Sequence, residues 1–415
     1  MTATVDLDST ATGAGVGEGG RTGSVVHVIT ALSTGGAERQ LQWLIEHSRY
    51  RGATVALYDG GMVGDAMLAS GHPVSVLGMN GPGRLTATLR LARVLRRLRP
   101  DVVHVHLLAA QLWGIPAARL ARVPVVVSSE HSLMDTSLEN RPLTRSLRLI
   151  YLVLERMSTH TLAVSAITRD RLLRAGVKDS RITVVDNGID YAGLTFDPVA
   201  GRAVRQEWGI PDGDVVIGAV GRLEPVKRLE PLVTELAPEL IRHGHHLVIA
   251  GDGPLRTRLV ELAESLGVAD RVHLLGPRPD MRSVLSGFDV LVSLSRDETF
   301  GMAVVEALGS GLPVVYESCP ALTEMTDPPA WAVQVPAIST VGADDAVDGD
   351  AREACGLLVS IEQARSAPGR DSDGRFPVPS VLTTAFGIGN TAAAVDGLYD
   401  RLRGARSSRR RQGRS

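Results

Sequence analysis

Short runs rich in Val, Ile and Leu recur along this chain, each followed by a turn and a stretch with helical spacing, and that alternation leaves few folds open. Runs in which nearly every position is apolar read as strands buried on both faces, the pattern of parallel sheets whose crossovers are helices. A first series occupies 24–30, 55–58, 74–77, 102–106, 125–128, 161–165 and 183–185, and a second 215–220, 246–250, 272–275, 290–294 and 313–316. Between them, 191–213 carries Pro198, Gly201, Gly209 and Pro211 and reads as a linker. The pattern predicts an α/β chain of two doubly wound domains, 24–190 and 214–385, followed by a helix within 386–403. At 415 residues the chain is long enough for two separate cores.

Composition narrows the class of partner. A hydrophobic content of 44% with a formal net charge of −2 describes a globular protein without the basic surplus that nucleic acid requires. Cys319 and Cys355 form no metal or redox spacing, and two cysteines in so long a chain indicate a reducing, cytoplasmic compartment. Residues 1–23 lack a basic start followed by an apolar run, so they read as a disordered tail rather than a signal peptide. No run approaches the roughly 18 apolar residues that a membrane span needs. The tail 404–415 reads as a solvated basic segment, and 84–99 as a basic amphipathic helix. That helix is taken as an ordinary crossover, association with a membrane surface being the less favoured reading.

The densest chemical signal lies where the strand at 288–294 runs into a helix beginning near Met302. Glu298 falls at the strand's carboxyl end, and Glu306, eight positions on, falls one turn inside the helix. The free N–H groups at Gly301 and Met302 favour an anion there, whereas two carboxylates would repel one and suit neutral hydroxyls instead. A ligand carrying both phosphate and sugar hydroxyls satisfies both demands. Gly251 and Gly253 follow another strand and open a helix, half of a dinucleotide fingerprint and weak by itself. Arg222 after the strand at 215–220 can grip two oxygens, while Lys227 is a mobile point charge. Gly35 and Gly36 form the first strand-to-helix loop, where missing side chains let backbone approach a ligand. His104 and His106 share one face of a strand, and packing at the core edge is preferred over metal binding.

In this order and spacing the motifs resemble the retaining glycosyltransferases of the GT4 group, which have the GT-B fold. They are Gly35-Gly36-Ala37-Glu38-Arg39, Ser129-Glu130-His131, Asp186-Asn187-Gly188-Ile189-Asp190, Gly221-Arg222-Leu223 with Lys227, Ala250-Gly251-Asp252-Gly253-Pro254-Leu255, and the glutamate pair. The resemblance runs from about 24 to 315. It implies two Rossmann-like domains facing each other across a cleft, a nucleoside diphosphate sugar as donor (a UDP-sugar favoured), and a small-molecule or glycan acceptor. Arg222 and Lys227 would bind the diphosphate, and Glu298 the hydroxyls of the donor sugar. Backbone N–H groups of Phe300, Gly301 and Met302 would meet sugar and phosphate oxygens, and Glu306 the ribose. The loops at Gly251, Gly253 and Arg278 would lie near the nucleotide, Gly35 and Gly36 near the diphosphate and reacting sugar. His131 would take the place of the family's active-site histidine.

Arg228 stands where the family usually has Gly, which makes the backbone less permissive and adds a cation. Retention in the family is explained by front-face departure and attack, with the leaving phosphate taking the acceptor's proton. No resident cofactor and no metal are then expected, and the Asp-x-Asp triplets here fall in tails and loops. Segments 130–144 and 318–320 resemble an actinobacterial branch acting on aminoglycoside precursors. That branch implies an aminocyclitol acceptor, with Glu130, Asp135 and Glu139 available to its ammonium groups. Glycosyl transfer in cell-envelope synthesis and nucleotide-sugar epimerisation on the same fold stay open as alternatives.

Overall fold

A computed structural model of the chain describes residues 23–80, 86–139, 141–336 and 349–412. Residues 1–22 of the expected tail 1–23 and the first residues of the basic stretch 84–99 lie outside the described residues. The chain divides into two compact units, one formed by 1–188 with 386–415 and the other by 189–385.

The first unit is built on seven parallel strands. In chain order they are β1 (Ser24–Ile29), β2 (Arg51–Ala56), β3 (Val74–Val76), β4 (Val102–His106), β5 (Val125–Glu130), then β8 (His160–Ala163) and β9 (Ile182–Val184), with a small antiparallel pair, β6 (Ser137–Leu138) and β7 (Arg141–Pro142), between them. The sheet order is β3-β2-β1-β4-β5-β8-β9. It reverses direction of growth between β1 and β4, the switch point at which open α/β sheets bind ligands. β4 and β5 carry three valines each and are buried throughout, as strands covered on both faces are. The basic helix is ordered over Ala87–Leu98 and buries Ala87, Leu91, Ala92 and Leu95 in this unit's core. Its apolar stripe is therefore spent on the sheet.

The last helix, Ile388–Gln412, belongs to the first unit and extends well into the stretch expected as a solvated tail. Ala392, Val395, Leu398 and Tyr399 pack with Val25, Val102, Val125 and Val127. Buried Asp396 accepts hydrogen bonds from Ser48 Oγ (2.6 Å) and from the Arg49 amide (2.8 Å), which locks the helix to the turn after the helix Gly36–His47. Sequence pattern could not place this helix, because its partners lie more than 200 residues away.

The second unit has six parallel strands, β10 (Val216–Val220), β11 (His246–Ala250), β12 (Val272–Gly276), β13 (Val290–Ser293), β14 (Val314–Tyr316) and β15 (Ala332–Gln334), in the order β12-β11-β10-β13-β14-β15. β15 carries too little apolar sequence to be read as a strand and is fixed by pairing with β14. The stretch expected as a linker holds two helices, Tyr191–Leu194 and Pro198–Glu207, both within this unit. Asp197 caps the second by accepting from the Val199 and Ala200 amides, and Pro198 takes the first helical position, where its missing N–H costs nothing.

Candidate active site

In the second unit the loops after β10, β11 and β13 gather the expected residues at the carboxyl edge of one sheet. The Gly221 amide donates to Ala250 O, the Leu223 amide to Asp252 O, and the Gly251 amide to Gly276 O, so three strand ends are stitched together. Gly251 has φ 149°, and a side chain there would run into the Gly221 carbonyl oxygen. A Cβ at Gly253 would come within 2.6 Å of Leu223 O. Both glycines are thus required by loop packing.

Lys227 ends a short 3-10 turn, and its Nζ lies 2.5 Å from Glu298 Oε1. The expected mobile cation is therefore held by the carboxylate expected to hold the sugar. Arg222 pairs with Glu224 at 2.8 Å, but its side chain is 60% exposed and open to a ligand. Arg228 departs from expectation: it is buried and its Nη1 lies 2.7 Å from Glu317 Oε2, so it adds no cation to the site. It adopts φ 51° at the start of the helix Leu229–His243, the left-handed conformation that explains a glycine preference at this position. Glu317 also receives Arg296 at 2.6 Å.

The helix after β13 is Met302–Gly309, and Gly301 caps it with φ 96°. A Cβ at Gly301 would collide with Cys319 Sγ, so the turn that presents the first amides admits only glycine. Phe300 is buried, and its carbonyl accepts from the Ala321 amide, which fixes the approach to the helix. Glu306 is buried on the first turns of that helix. The Arg278 guanidinium is taken up by Glu207 at 2.6 Å and Asp280 at 2.7 Å, and these carboxylates raise its pKa above the usual range. Its side chain fastens β12's following loop to the helix Pro198–Glu207.

In the first unit the loop Gly35–Gly36 opens the helix Gly36–His47. Glu38 folds back to accept from Ser33 Oγ at 3.3 Å, against Gly35, where a side chain would strike its carboxylate. His131 follows β5 and is half-buried. Its Nε2 lies 3.4 Å from His106 Nδ1, and His106 Nε2 lies 3.2 Å from His27 Nδ1. His104 is held by Tyr399 Oη at 2.6 Å and Ser129 Oγ at 2.7 Å. Register explains the array: His27 pairs with His104 across β1 and β4, and alternation puts His106 on the same face. A cavity of about 20 Å3 adjoins it, lined by His104, His106, Ser129, His131 and Thr391.

Burial lowers the pKa of His131 to about 4 and of His27 to about 3, and pushes His104 and His106 well below the ordinary value. All four are neutral at pH 7, each ring then offering one donor and one acceptor. His27, His104 and His106 each bring a nitrogen within 4.8 Å of the others, close enough to hold a metal ion. Both His104 nitrogens, however, and the facing His27 and His106 nitrogens are already spent on hydrogen bonds.

Three carboxylates expected to meet acceptor ammonium groups are engaged within the unit. Glu130 is buried and accepts from the Ser132 amide (3.0 Å), Tyr151 Oη (2.9 Å) and Gln111 Nε2 (3.4 Å), while burial raises its pKa. Asp135 pairs with Arg174 at 2.6 Å, and Glu139 Oε1 accepts from the Leu108 amide at 2.7 Å.

Comparison with known proteins decides the family. Glycosyltransferase Family 4 matches residues 34–192, and Glycosyl transferases group 1 matches 202–329. The chain belongs to the group 1, family 4 type of glycosyltransferases. This family member is 33% identical over 250 residues to a D-inositol 3-phosphate glycosyltransferase of Stackebrandtia nassauensis, covering 54% of each chain. It is 34% identical over 234 residues to a GDP-mannose-dependent alpha-mannosyltransferase of Mycobacterium tuberculosis, covering 55% of this chain and 58% of that one. A 2-deoxystreptamine glucosyltransferase of Streptomyces kanamyceticus is 28% identical over 253 residues, covering 58% and 65%. The chain thus spans a little over half the length of the curated relatives it matches. Among solved structures, Anabaena Alr3699/HepE in complex with UDP and glucose superposes with a TM-score of 0.72 at 19% identity, covering 91% of this chain and 99% of that one. The group 1 family member therefore has the GT-B fold, two Rossmann-like domains with parallel sheets.

Sequence reasoning missed His27 and Tyr399 in this family member. His27 was legible as a polar residue at an inward strand position, but only the register with β4 brings it to His104. Tyr399 lies 295 residues from His104 and carried no signal.

Proposed function

We propose that the protein is a retaining glycosyltransferase that moves a hexose or aminosugar from a nucleoside diphosphate sugar to a cyclitol hydroxyl. The observation that carries the reading is the Lys227–Glu298 pair beside the Gly301-capped helix start, with Glu306 one turn on. That arrangement offers a cation and helix-start amides for a diphosphate and carboxylates for sugar hydroxyls within one loop cluster. Breaking the bond to the leaving group builds negative charge on the diphosphate, and Arg222, Lys227 and the amides of the helix start meet that charge as it forms. With the departing phosphate taking the acceptor's proton, neither a protein base nor a metal is needed. Glu298 then turns to the sugar, Glu306 holds the ribose, and His131 with the Gly35–Gly36 loop serves the reacting sugar.

A UDP-sugar is the favoured donor, supported by the likeness to a structure that holds UDP and glucose. A cyclitol acceptor is what two relatives share, one named for D-inositol 3-phosphate and one for 2-deoxystreptamine. The engagement of Glu130, Asp135 and Glu139 removes a specific reason to require an amino group, so the cyclitol ring rather than its ammonium groups defines the class. Mass spectrometry of incubations pairing UDP- and GDP-sugars with inositol 3-phosphate and with 2-deoxystreptamine pseudodisaccharides tests this. A glycosylated cyclitol with the donor's anomeric configuration is expected. Inverted product, or epimerised donor without acceptor, overturns it.

A further inference from the structure

Three imidazoles from neighbouring elements form one line at the switch point of the first sheet. His27 stands on β1, His106 at the carboxyl end of β4, and His131 just past β5. His131 Nε2 lies 3.4 Å from His106 Nδ1, and the other nitrogen of that middle ring, His106 Nε2, lies 3.2 Å from His27 Nδ1. His106 therefore turns both ring nitrogens to other histidines. Packing alone does not call for this, because apolar side chains would fill the same buried positions without the cost of desolvating polar rings. His104, fastened by Tyr399 and Ser129, packs beside the line with its ring centroid 4.1 Å from that of His106 and 5.6 Å from that of His27.

Each contact in the line needs one N–H and one bare nitrogen, and a neutral imidazole has one of each. Burial keeps all three rings neutral at pH 7. If His131 donates from Nε2, His106 accepts at Nδ1, carries its own proton on Nε2 and donates to His27. If His27 donates from Nδ1 instead, His106 is protonated on Nδ1 and donates to His131, whose proton then sits on Nδ1. No mixed arrangement makes both bonds, since it would set two protons or two lone pairs against each other. The tautomer of His131 is thus tied to that of a residue two rings away, as the bond made by one imidazole nitrogen sets the state of the other.

We infer that His106 and His27 are positioning residues that fix the orientation and tautomer of His131, and so set whether its Nδ1 side donates or accepts towards the reacting sugar. The inference rests on the reading of His131 as a residue of the sugar site. His106 and His27 act only through it.

Two readouts on the full chain test this. Long-range proton–nitrogen NMR of protein with isotope-labelled histidines reports which nitrogen of His131 carries the proton, with no substrate present. Steady-state turnover is measured with the donor and acceptor pair that gives product in the incubations above. His27→Phe keeps a ring but removes the nitrogen that His106 faces. It is expected to shift the His131 tautomer and to lower kcat by about 10- to 100-fold, the scale seen when a partner that orients a histidine is lost, with KM for the donor little changed. His27→Asn places an amide where Nδ1 stands and should restore both. His106→Phe breaks the line one ring nearer and should show the same two changes, so the decision does not hang on one variant folding. An unchanged His131 tautomer in both phenylalanine variants, an unchanged kcat, or a loss that His27→Asn does not restore overturns the inference. An active His131→Phe refutes the reading of His131 beneath it, whereas an inactive His131→Phe beside an active His27→Phe refutes this inference alone.

Discussion

Lys227 Nζ sits 2.5 Å from Glu298 Oε1, so the cation assigned to the diphosphate and the carboxylate assigned to the sugar neutralise each other. Neighbouring Arg228 is paired too, but with Glu317 in a buried setting. Two adjacent cations therefore have different work. The first is partly exposed, and the second is part of the core.

Substitution should separate them. Lys227→Ala is expected to lower kcat by 100-fold or more with little change in melting temperature, since removing even one hydrogen-bond donor from a developing oxyanion costs about 2.7–4 kcal/mol. Arg228→Ala should instead cost about 3 kcal/mol of stability by leaving Glu317 with Arg296 alone. Steady-state kinetics and thermal unfolding on the two variants check this, and a reversal of the pattern removes Lys227 from its role.

Glu306 is buried at the helix start, where its carboxylate is assigned to the ribose. Hydrogen bonds to a charged group contribute about 1.5–3 kcal/mol, so Glu306→Ala should weaken UDP binding by about 10- to 100-fold. Glu298→Ala should leave UDP affinity nearly intact and impair use of the whole UDP-sugar. Calorimetry with UDP on both variants decides; unchanged affinity in Glu306→Ala contradicts the assignment.

Gly301→Ala tests whether the helix start tolerates a side chain. With φ 96° and Cys319 Sγ in the way, the variant should lose at least about 1–2 kcal/mol of stability and most nucleotide affinity. Gly397→Ala, on a helix and with only the end of Arg401 nearby, is the matched control and should be close to neutral or stabilising. Denaturant unfolding of both gives the comparison.

The four histidines make stability depend on acid. Their folded pKa values lie below the unfolded value near 6.5, so the unfolded chain binds more protons as pH falls, and stability is full above 6.5 and declines below it. The decline should span pH 6.5 to about 4 for His131 and continue towards 3 for His27, at up to about 1.4 kcal/mol per pH unit for each histidine. His27→Asn should flatten the slope. Urea midpoints at pH 7.0, 5.5 and 4.5 measure it, and equal slopes in the variant would remove His27 from the effect.

Much of the fold was legible because its signals are local. Strand runs such as 125–128 and 246–250 announce buried parallel strands through composition alone, and glycine at 251 and 301 marks backbone that side chains would block. β15 was illegible because three residues at a sheet edge need β14 to hold them. Side-chain roles were the weakest reading. Arg228, Arg278, Glu130 and Glu139 were read as available to ligands, yet each is bound to a residue at least 19 positions away.

By itself the sequence determined two parallel sheets, the order of the strand-end loops and the glycines those loops need, since periodicity and backbone conformation depend on near neighbours. Tertiary structure decided which charges are free. Ion pairs and buried donors are settled by distance and desolvation, and those depend on segments remote in the chain. Thus Lys227 meets Glu298 across 71 positions, His104 meets Tyr399 across 295, and Arg375 donates to the Phe288 carbonyl across 87.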